Sequence, residues 1–185
     1  MLRNFLNRLK APDMRDKILI TIGIMIVYRV TGQVTVPGVD EAVLREFFVG
    51  SGLTVFGLYD LFVGGAFTRA TVFALGIIPY ISAAILVLLI SVGVPFFRRL
   101  RHEGEEARLR IKHYTRYCAV LLAAAQALAV GYFLESIRGL ESGLFAVADP
   151  GWSFRVLTML TITSGTVFVM WLSEQISKRG IGNGI

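Results

Sequence analysis

Apolar residues in this chain occur in long uncharged blocks rather than at dispersed positions. Three blocks, 71–97, 117–134 and 156–173, contain no formally charged residue, and a fourth, 18–39, is interrupted only by Arg29. A run of about 18 or more such residues is typical of a transmembrane helix, because about 20 residues span the hydrocarbon core of a bilayer. The pattern therefore predicts four membrane-spanning helices.

Two features depart from this simple pattern. Arg29 either lies near the far membrane interface, where its side chain reaches water, or is buried and holds a partner carbonyl or carboxylate group. The stretch 53–67 is apolar but too short to span, and it contains Asp60 and three glycines. It is either an interfacial loop helix, which spacing alone favours, or a re-entrant segment inside a protein-lined cavity.

Composition argues against a soluble protein. Hydrophobic residues make up 55% of the 185 residues and charged residues 17%, against roughly 45–50% and about 25% in ordinary globular proteins. The single cysteine, Cys118, excludes a disulfide framework within the chain.

Basic residues are distributed asymmetrically around the predicted spans. Fourteen of the nineteen Lys and Arg residues precede the first span, separate the second from the third or follow the fourth, whereas the opposite loops, 40–70 and 135–155, carry four against seven acidic residues. Because cytoplasmic loops are enriched in Lys and Arg, both termini are predicted to be cytoplasmic. The net charge of +6 reflects this bias, so no sequence-specific nucleic-acid binding is predicted, although the basic loop could contact a ribosome or anionic lipid.

The first thirteen residues form a separate unit. Leu2, Phe5, Leu6 and Leu9 fall on one helical face, which predicts a short cytoplasmic amphipathic helix within 1–13 at the membrane interface. Pro12 ends this helix. The long apolar run that follows has no A-x-A-like site, so a cleavable signal peptide is not predicted.

Patterns for catalysis and metal binding are weak. His102 and Glu103 begin like a zinc-protease motif, but no second histidine follows at the required spacing. Ser82 and Ser164 lie in predicted spans that contain no histidine, which argues against an intramembrane serine protease. We therefore expect no enzyme activity, no metal and no cofactor, and the sequence favours a pore, a carrier or a scaffold.

Five short motifs occur in order along the chain. They are LFVGGAFTR at 61–69, FALGIIPYISA at 73–83, EGE at 103–105, YTRY at 114–117 and MWLSEQISKRGIGNGI at 170–185. Together they resemble the SecY family, the channel subunits of the bacterial protein translocase. Each motif alone is moderately specific, whereas five at the right spacing are strongly so. The resemblance covers the chain from about Met14 to Ile185.

The resemblance implies an all-α membrane protein with polytopic transmembrane helices. It would be the N-terminal half of a ten-helix SecY-like channel, with an hourglass pore, a lateral gate into lipid and a re-entrant plug segment. The implied transmembrane region is 14–185, with helices at 16–36, 71–94, 114–134 and 154–177, a plug at about 56–69 and the start of a fifth helix at 185.

Individual residues acquire implied roles in the same way. Ile77, Ile81 and Ile185 match pore-ring isoleucines, and the spacing of the first two would place them on one helical face. Branched aliphatic side chains at a constriction disfavour hydrated ions and offer a sliding polypeptide no hydrogen bonds; without the resemblance, lipid-facing isoleucines would be the favoured interpretation. The other implied positions are Gly57, Asp60, Leu61, Gly64 and Gly65 in the plug, Pro79, Ser82 and Leu88 at the lateral gate, and Arg99, Arg101, Glu174 and Arg179 at a cytoplasmic funnel or partner contact.

Two further expectations concern the second helix and the open side of a half-channel. Pro79 is expected to bend the helix and Gly76 to admit a neighbouring backbone or the plug, although both residue types are ordinary in membrane helices. Small and polar residues, among them Gly76, Ser82, Thr158 and Thr161, are expected on the face toward a missing partner. Leu88 stands where many SecY sequences have glutamine, so a polar gate residue is absent from this sequence.

The resemblance also implies a location and partners. The expected location is the bacterial plasma (inner) membrane, with a multi-pass topology, and the expected partners are SecE-like and SecG-like subunits, a SecA motor or a ribosome, a translocating polypeptide and membrane lipids. The expected function is to move unfolded polypeptides across the membrane and membrane segments into it. An end inside the 180–185 motif favours a truncation, which is not expected to conduct alone. The alternative is a nascent SecY-like chain that is the client or assembly intermediate of a ribosome or an insertase.

Overall fold

The computed structural model describes residues 12–50, 55–93, 105–139, 143–182 and 184. This part of the chain is helical and contains no strand, which confirms the predicted all-α class. The helices are α1 (Pro12–Thr31), α2 (Glu41–Gly50), α3 (Val55–Val63), α4 (Ile78–Gly93), α5 (Glu105–Ser136) and α6 (Trp152–Arg179).

Two helices among the described residues are long and apolar enough to cross a membrane. They are Leu109–Ser136 and Trp152–Arg179, and the helix Ile78–Gly93 is apolar but shorter. The first helix, α1, carries charged residues in its first two turns and Arg29 in its last turn, so only its middle is continuously apolar. The side chain of Arg29 is exposed, which agrees with an interfacial position and not with burial inside this chain.

Small side chains on α5 allow neighbouring helices to approach closely. Ala119, Ala123 and Ala127 recur every four residues, on one face of α5, and all three are fully buried. The most extensive helix contacts in the described chain are those of α5 with α6 and with α4. Because lipid provides no hydrophobic driving force between helices, close contact through small residues is the usual way that membrane helices associate.

Irregular segments pack together at one end of the helices. Val36 donates a backbone hydrogen bond to Ala70 O (2.9 Å) and Asp40 donates one to Ala146 O (2.8 Å). The core beneath them includes Leu44, Phe154 and Ile162. Helix α2, which the sequence analysis did not predict, completes this layer, and the Asp40 carboxylate caps it by accepting from Ala42 N (2.9 Å).

The second predicted span begins later than expected. Residues 72–77 form turns, and helix α4 starts only at Ile78, not at 71. The turns are stabilised by hydrogen bonds between residues three apart, such as Gly76 N to Phe73 O (2.8 Å), and by Val72 N donating to Val34 O (2.9 Å).

The expected bend at Pro79 is therefore wrong. Pro79 is the second residue of α4, where its missing N–H has no intrahelical partner to lose and its fixed φ suits the first turn. A proline at this position starts the helix instead of interrupting it.

Helices α1 and α6 run antiparallel. In the middle of α1, Thr21 Oγ1 accepts a hydrogen bond from Ile181 N (3.1 Å), just beyond the end of α6. Beyond the other end of α1, Gly38 lies against the Phe154 ring in the first turn of α6. The predicted topology requires this arrangement, because it places the start of α1 and the end of α6 on the same side. The amphipathic helix predicted within 1–13 falls almost entirely outside the described residues, and Pro12 is the first residue of α1.

Candidate functional site

The plug-like stretch consists of the short helix α3 and the turn that follows it. The Asp60 carboxylate accepts hydrogen bonds from Phe67 N (2.9 Å), Thr68 N (3.0 Å) and Thr68 Oγ1 (2.8 Å). Gly65 N donates to the backbone oxygen of Asp60 (2.9 Å). The last turn of α3 is thus fastened to the segment that leads into α4.

Helix α3 packs onto the turn that precedes α4. A Cβ atom on Gly76 would lie 3.3 Å from Val63 Cγ1, and Gly76 has a φ of +52°. Both the contact and the backbone conformation favour glycine at this position. The predicted approach of the plug-like segment to Gly76 is therefore observed. Val63 is buried in a cluster with Ala66, Phe73 and Val169 of α6.

A cavity of about 300 Å³ lies beside this contact. Its wall is mostly apolar and comes from α1, the end of α3, the turn before α4, and α6 with the residues after it. The lining includes Tyr28, Val63, Ile77, Leu172 and Gly184. Gly184 is held there by two hydrogen bonds, because its N–H donates to Ser177 Oγ (2.9 Å) and its carbonyl accepts from Ser173 Oγ (3.0 Å).

The three predicted ring residues have different positions relative to this cavity. Ile77 lines it and is half-buried, and its carbonyl accepts the first hydrogen bond of α4 from Ile81 N (3.2 Å). Ile81 follows one turn later and is 43% exposed. Ile185 lies outside the described residues, and its neighbour Gly184 lines the same cavity as Ile77.

The other predicted plug residues differ in their exposure. Leu61 is 73% exposed and Gly64 is exposed, whereas Gly57, Asp60 and Gly65 are half-buried. Gly64 and Gly65 have φ values of +69° and +80°, which an L-residue with a side chain rarely adopts.

The residues predicted at the lateral gate lie on different sides of α4. Pro79 is fully buried, Ser82 is half-buried and Leu88 is 50% exposed. The buried residues of α4, Pro79, Ala83, Val87 and Ser91, form a stripe at a spacing of four. Leu88 follows Ile81 by seven residues, so these two side chains share the opposite, exposed face.

Glu174, predicted at a cytoplasmic funnel, is the centre of an ion-pair cluster. Its carboxylate pairs with Arg116, with Lys178 (3.2 Å) and with Lys112 (4.0 Å). The first and last of these cations belong to α5, so the carboxylate joins the end of α6 to the start of α5. Arg179 is exposed, and Arg99 and Arg101 lie outside the described residues.

A second ionic contact, which was not predicted from the sequence, joins α5 to α6 at the opposite end. Arg155 Nε and Nη2 donate to Glu135 Oε2 (2.8 and 2.7 Å), while Glu135 Oε1 accepts from Gly151 N (2.8 Å). The Arg155 guanidinium also lies over the Tyr132 ring, 3.9 Å from its centroid. The two side chains lie twenty residues apart across an irregular loop, so only their position at the facing ends of two predicted spans hinted at the pairing.

Two residues expected on the open side of a half-channel lie inside the chain instead. Thr158 is fully buried, and it packs against Gly131 of α5. Gly76 is buried under Val63. Ser82 and Thr161 are half-buried. Thr158 and Gly76 therefore make contacts within the chain.

Metal-binding geometry does not occur in the part of the chain that the structure describes. No group of three or more His, Cys, Asp or Glu side chains there could hold an ion.

The chain is similar in sequence to proteins of one known family. A family model described as SecY matches residues 71–185. The chain is 39% identical over 178 residues to the protein translocase subunit SecY of Aquifex aeolicus strain VF5, and 40% identical over 173 residues to that of Escherichia coli strain K12. These alignments cover 95% and 94% of the chain but 41% and 38% of the relatives. The chain thus spans about two fifths of the length of the curated relatives it matches.

Solved structures show the same fold. The chain matches a structure described as that of a protein conducting channel with a TM-score of 0.61 and 19% identity, over 92% of the chain and 34% of that protein. It matches Sec61 in a canine ribosome–channel complex from the endoplasmic reticulum with the same TM-score, identity and coverage. Each match covers most of the chain and not one motif alone.

Proposed function

Because the chain belongs to the SecY family, we propose that it forms one half of the wall of a protein-conducting channel and carries the channel's plug. The channel would move unfolded polypeptides across the plasma membrane and membrane segments into it. The main observation behind this proposal is the position of α3. Its residue Val63 packs on Gly76, directly beside the cavity that Ile77 and Gly184 line. A short helix is thus packed at the position where the pore ring is proposed.

The chemistry of the cavity supports this function. Its wall consists mainly of aliphatic and aromatic side chains, and Ile77 presents a branched side chain to it. An apolar constriction resists hydrated ions because they would lose solvation there. It also offers few hydrogen bonds to a passing chain, so an unfolded polypeptide of any sequence would slide through without being held.

The second half of the pore would come from outside these residues. Ile81 and Leu88 on the exposed face of α4 would then face the pore or the lateral gate, and Ile185 would complete this chain's share of the ring. We propose SecE-like and SecG-like subunits, a SecA motor or a ribosome, and the translocating polypeptide as partners. Both termini would be cytoplasmic, which the antiparallel arrangement of α1 and α6 supports.

A hybrid channel tests the proposed function. This chain would replace the aligned region of the Escherichia coli relative, to which it is 40% identical, in cells depleted of their own protein. We expect the hybrid to restore export of a signal-bearing precursor, whereas a hybrid with a charged Ile77→Asp constriction should export less, although it assembles. An assembled hybrid that exports nothing would contradict the proposal.

A further inference from the structure

The connection between α3 and α4 contains a potential hinge. Gly64 and Gly65 both have positive φ values, and a Cβ atom on Gly64 would have no neighbour within 4 Å. A Cβ atom on Gly65 would lie 3.3 Å from Arg69 Nη2, which is the far end of a flexible side chain. Glycines can adopt many backbone angles at little steric cost, and no backbone atom crowds either of these two. By itself, this pair would let α3 swing away from Gly76.

The Asp60 carboxylate spans this hinge. It lies on α3, before the two glycines, and its three hydrogen bonds go to Phe67 and Thr68, after them. Its Oδ1 accepts two backbone N–H groups and its Oδ2 accepts the threonine hydroxyl. Hydrogen bonds to a charged acceptor are stronger than those between neutral groups, so this one side chain restrains both glycines.

The segment after the hinge is fixed independently of Asp60. Thr71 N donates to Ala66 O, Val36 N to Ala70 O, and Val72 N to Val34 O, each at 2.9 Å. These bonds attach 66–72 to itself and to the residues that follow α1. A movement of α3 about the glycines would therefore break the Asp60 contacts and leave these bonds intact.

We infer that Asp60 is the latch of the plug-like segment: its carboxylate holds α3 against Gly76 and must release Phe67 and Thr68 before α3 can leave. Asp60 is a positioning residue in this account, because it restrains the plug without lining the cavity. The inference rests on the proposed function, since it supposes that α3 leaves its seat when a polypeptide passes.

Three variants of the hybrid channel in planar bilayers test the latch. Asp60→Ala removes all three acceptor contacts and is expected to raise ion conductance without substrate by about tenfold, toward that of a deletion of 57–67. Asp60→Asn is the matched control, because it keeps the shape and the oxygen that accepts from the two N–H groups, and it should leak less than Asp60→Ala. Thr68→Val removes the hydroxyl contacts with Asp60 (2.8 Å) and with the Gly65 carbonyl (3.4 Å) but keeps both backbone contacts, so its leak should fall between those of the wild type and Asp60→Ala.

Hydrogen exchange distinguishes a released latch from general unfolding. In Asp60→Ala the amides of Phe67 and Thr68 should lose protection, while those in the middle of α6 keep it. Unchanged protection at both amides would overturn the latch. If the Asp60→Ala channel conducts no more ions than the wild type while the channel with 57–67 deleted leaks, the latch would also be overturned, but the proposed function would stand. A deletion that does not leak, in a channel that exports, would overturn the plug and the latch together.

Discussion

Gly165 of α6 lies at the tightest contact between a helix and the irregular segment before α4. A Cβ atom at this position would overlap the carbonyl group of Val72, which is backbone and which is itself tied to Val34. No side-chain rotation relieves such an overlap, so the segment would have to shift. Overpacking of this kind typically costs about 1–3 kcal/mol.

We therefore expect Gly165→Ala to lower the melting temperature of the purified protein in detergent and to loosen residues 71–77 toward proteases. Gly23→Ala is the matched control, because Gly23 also lies within a helix but has no atom within 4 Å of the added Cβ. Since alanine favours helix over glycine, the control should be as stable as the wild type or slightly more so. Equal melting temperatures for the two variants would contradict the packing described here.

Single residues also show which sequence-based expectations could succeed. The approach of a neighbour to Gly76 could be predicted from residue type, because glycine leaves room for one, whereas the positive φ of Gly76 is seen only in the structure. The role of Pro79 could not be predicted from residue type. Proline bends the interior of a helix but is well accommodated in the first turn, and only the structure shows where α4 begins. The burial of Thr158 depends on its facing Gly131, twenty-seven residues earlier, and no local pattern contains that information.

Helices α5 and α6 are joined at both ends by ionic contacts. Glu174 binds cations of α5 at one end, and Glu135 binds Arg155 at the other. The Arg155 contact is specific to arginine, because it combines two donors on one carboxylate oxygen with a position over the Tyr132 ring. Lysine would keep the charge but would lose the planar stacking and the second aligned donor.

Substitution of Arg155 tests this contact. Arg155→Ala should lower the melting temperature of the purified protein most, Arg155→Lys should recover only part of the loss, and Arg179→Ala, at an exposed arginine of the same helix, should have little effect. In Glu135→Gln, a further change to Arg155→Ala should cost less than it does in the wild type, because the two residues act as one contact. Full recovery by lysine would show that charge alone is sufficient.

Element lengths were predictable where composition changes sharply and not elsewhere. The third and fourth spans lie inside α5 and α6, which extend beyond the apolar blocks because their charged ends remain helical. The second span was predicted too long, since 72–77 is as apolar as α4 but is held in turns by hydrogen bonds between residues three apart and by the bond from Val72 N to Val34 O. Helix α2 was not predicted because its ten residues, Glu41–Gly50, are too few to span a membrane and include charged side chains.

At the scale of the whole molecule, the arrangement of helices makes a prediction about topology. Arg45 on α2 and His113 on α5 are both exposed, and the basic-residue bias places them on opposite sides of the membrane. In a Cys118→Ser background, a cysteine at 45 should react with an impermeant thiol reagent added to intact spheroplasts. A cysteine at 113 should react only after the membrane is permeabilised. Reaction of position 113 from outside would overturn the proposed orientation.

Most of the fold could be predicted from the sequence, because the sequence consists of long apolar blocks and contains motifs of a known family. Less of the candidate site could be predicted. The contact of Val63 with Gly76 and the hydrogen bond from Thr68 to Asp60 depend on how α3 folds back onto the chain. Both contacts lie in irregular backbone, where residue type restricts the conformation but does not fix the partner.

Site-specific photo-cross-linking tests the central claim, that this chain lines a pore for polypeptides, most directly. A photoreactive residue would replace Ile81, proposed to face the pore, or Leu121, which is 71% exposed on α5 and is proposed to face lipid. With a precursor stalled during export through the hybrid channel, we expect position 81 to cross-link to the precursor and position 121 to cross-link to lipid only. Cross-linking of the precursor at position 121 and not at position 81 would contradict the account.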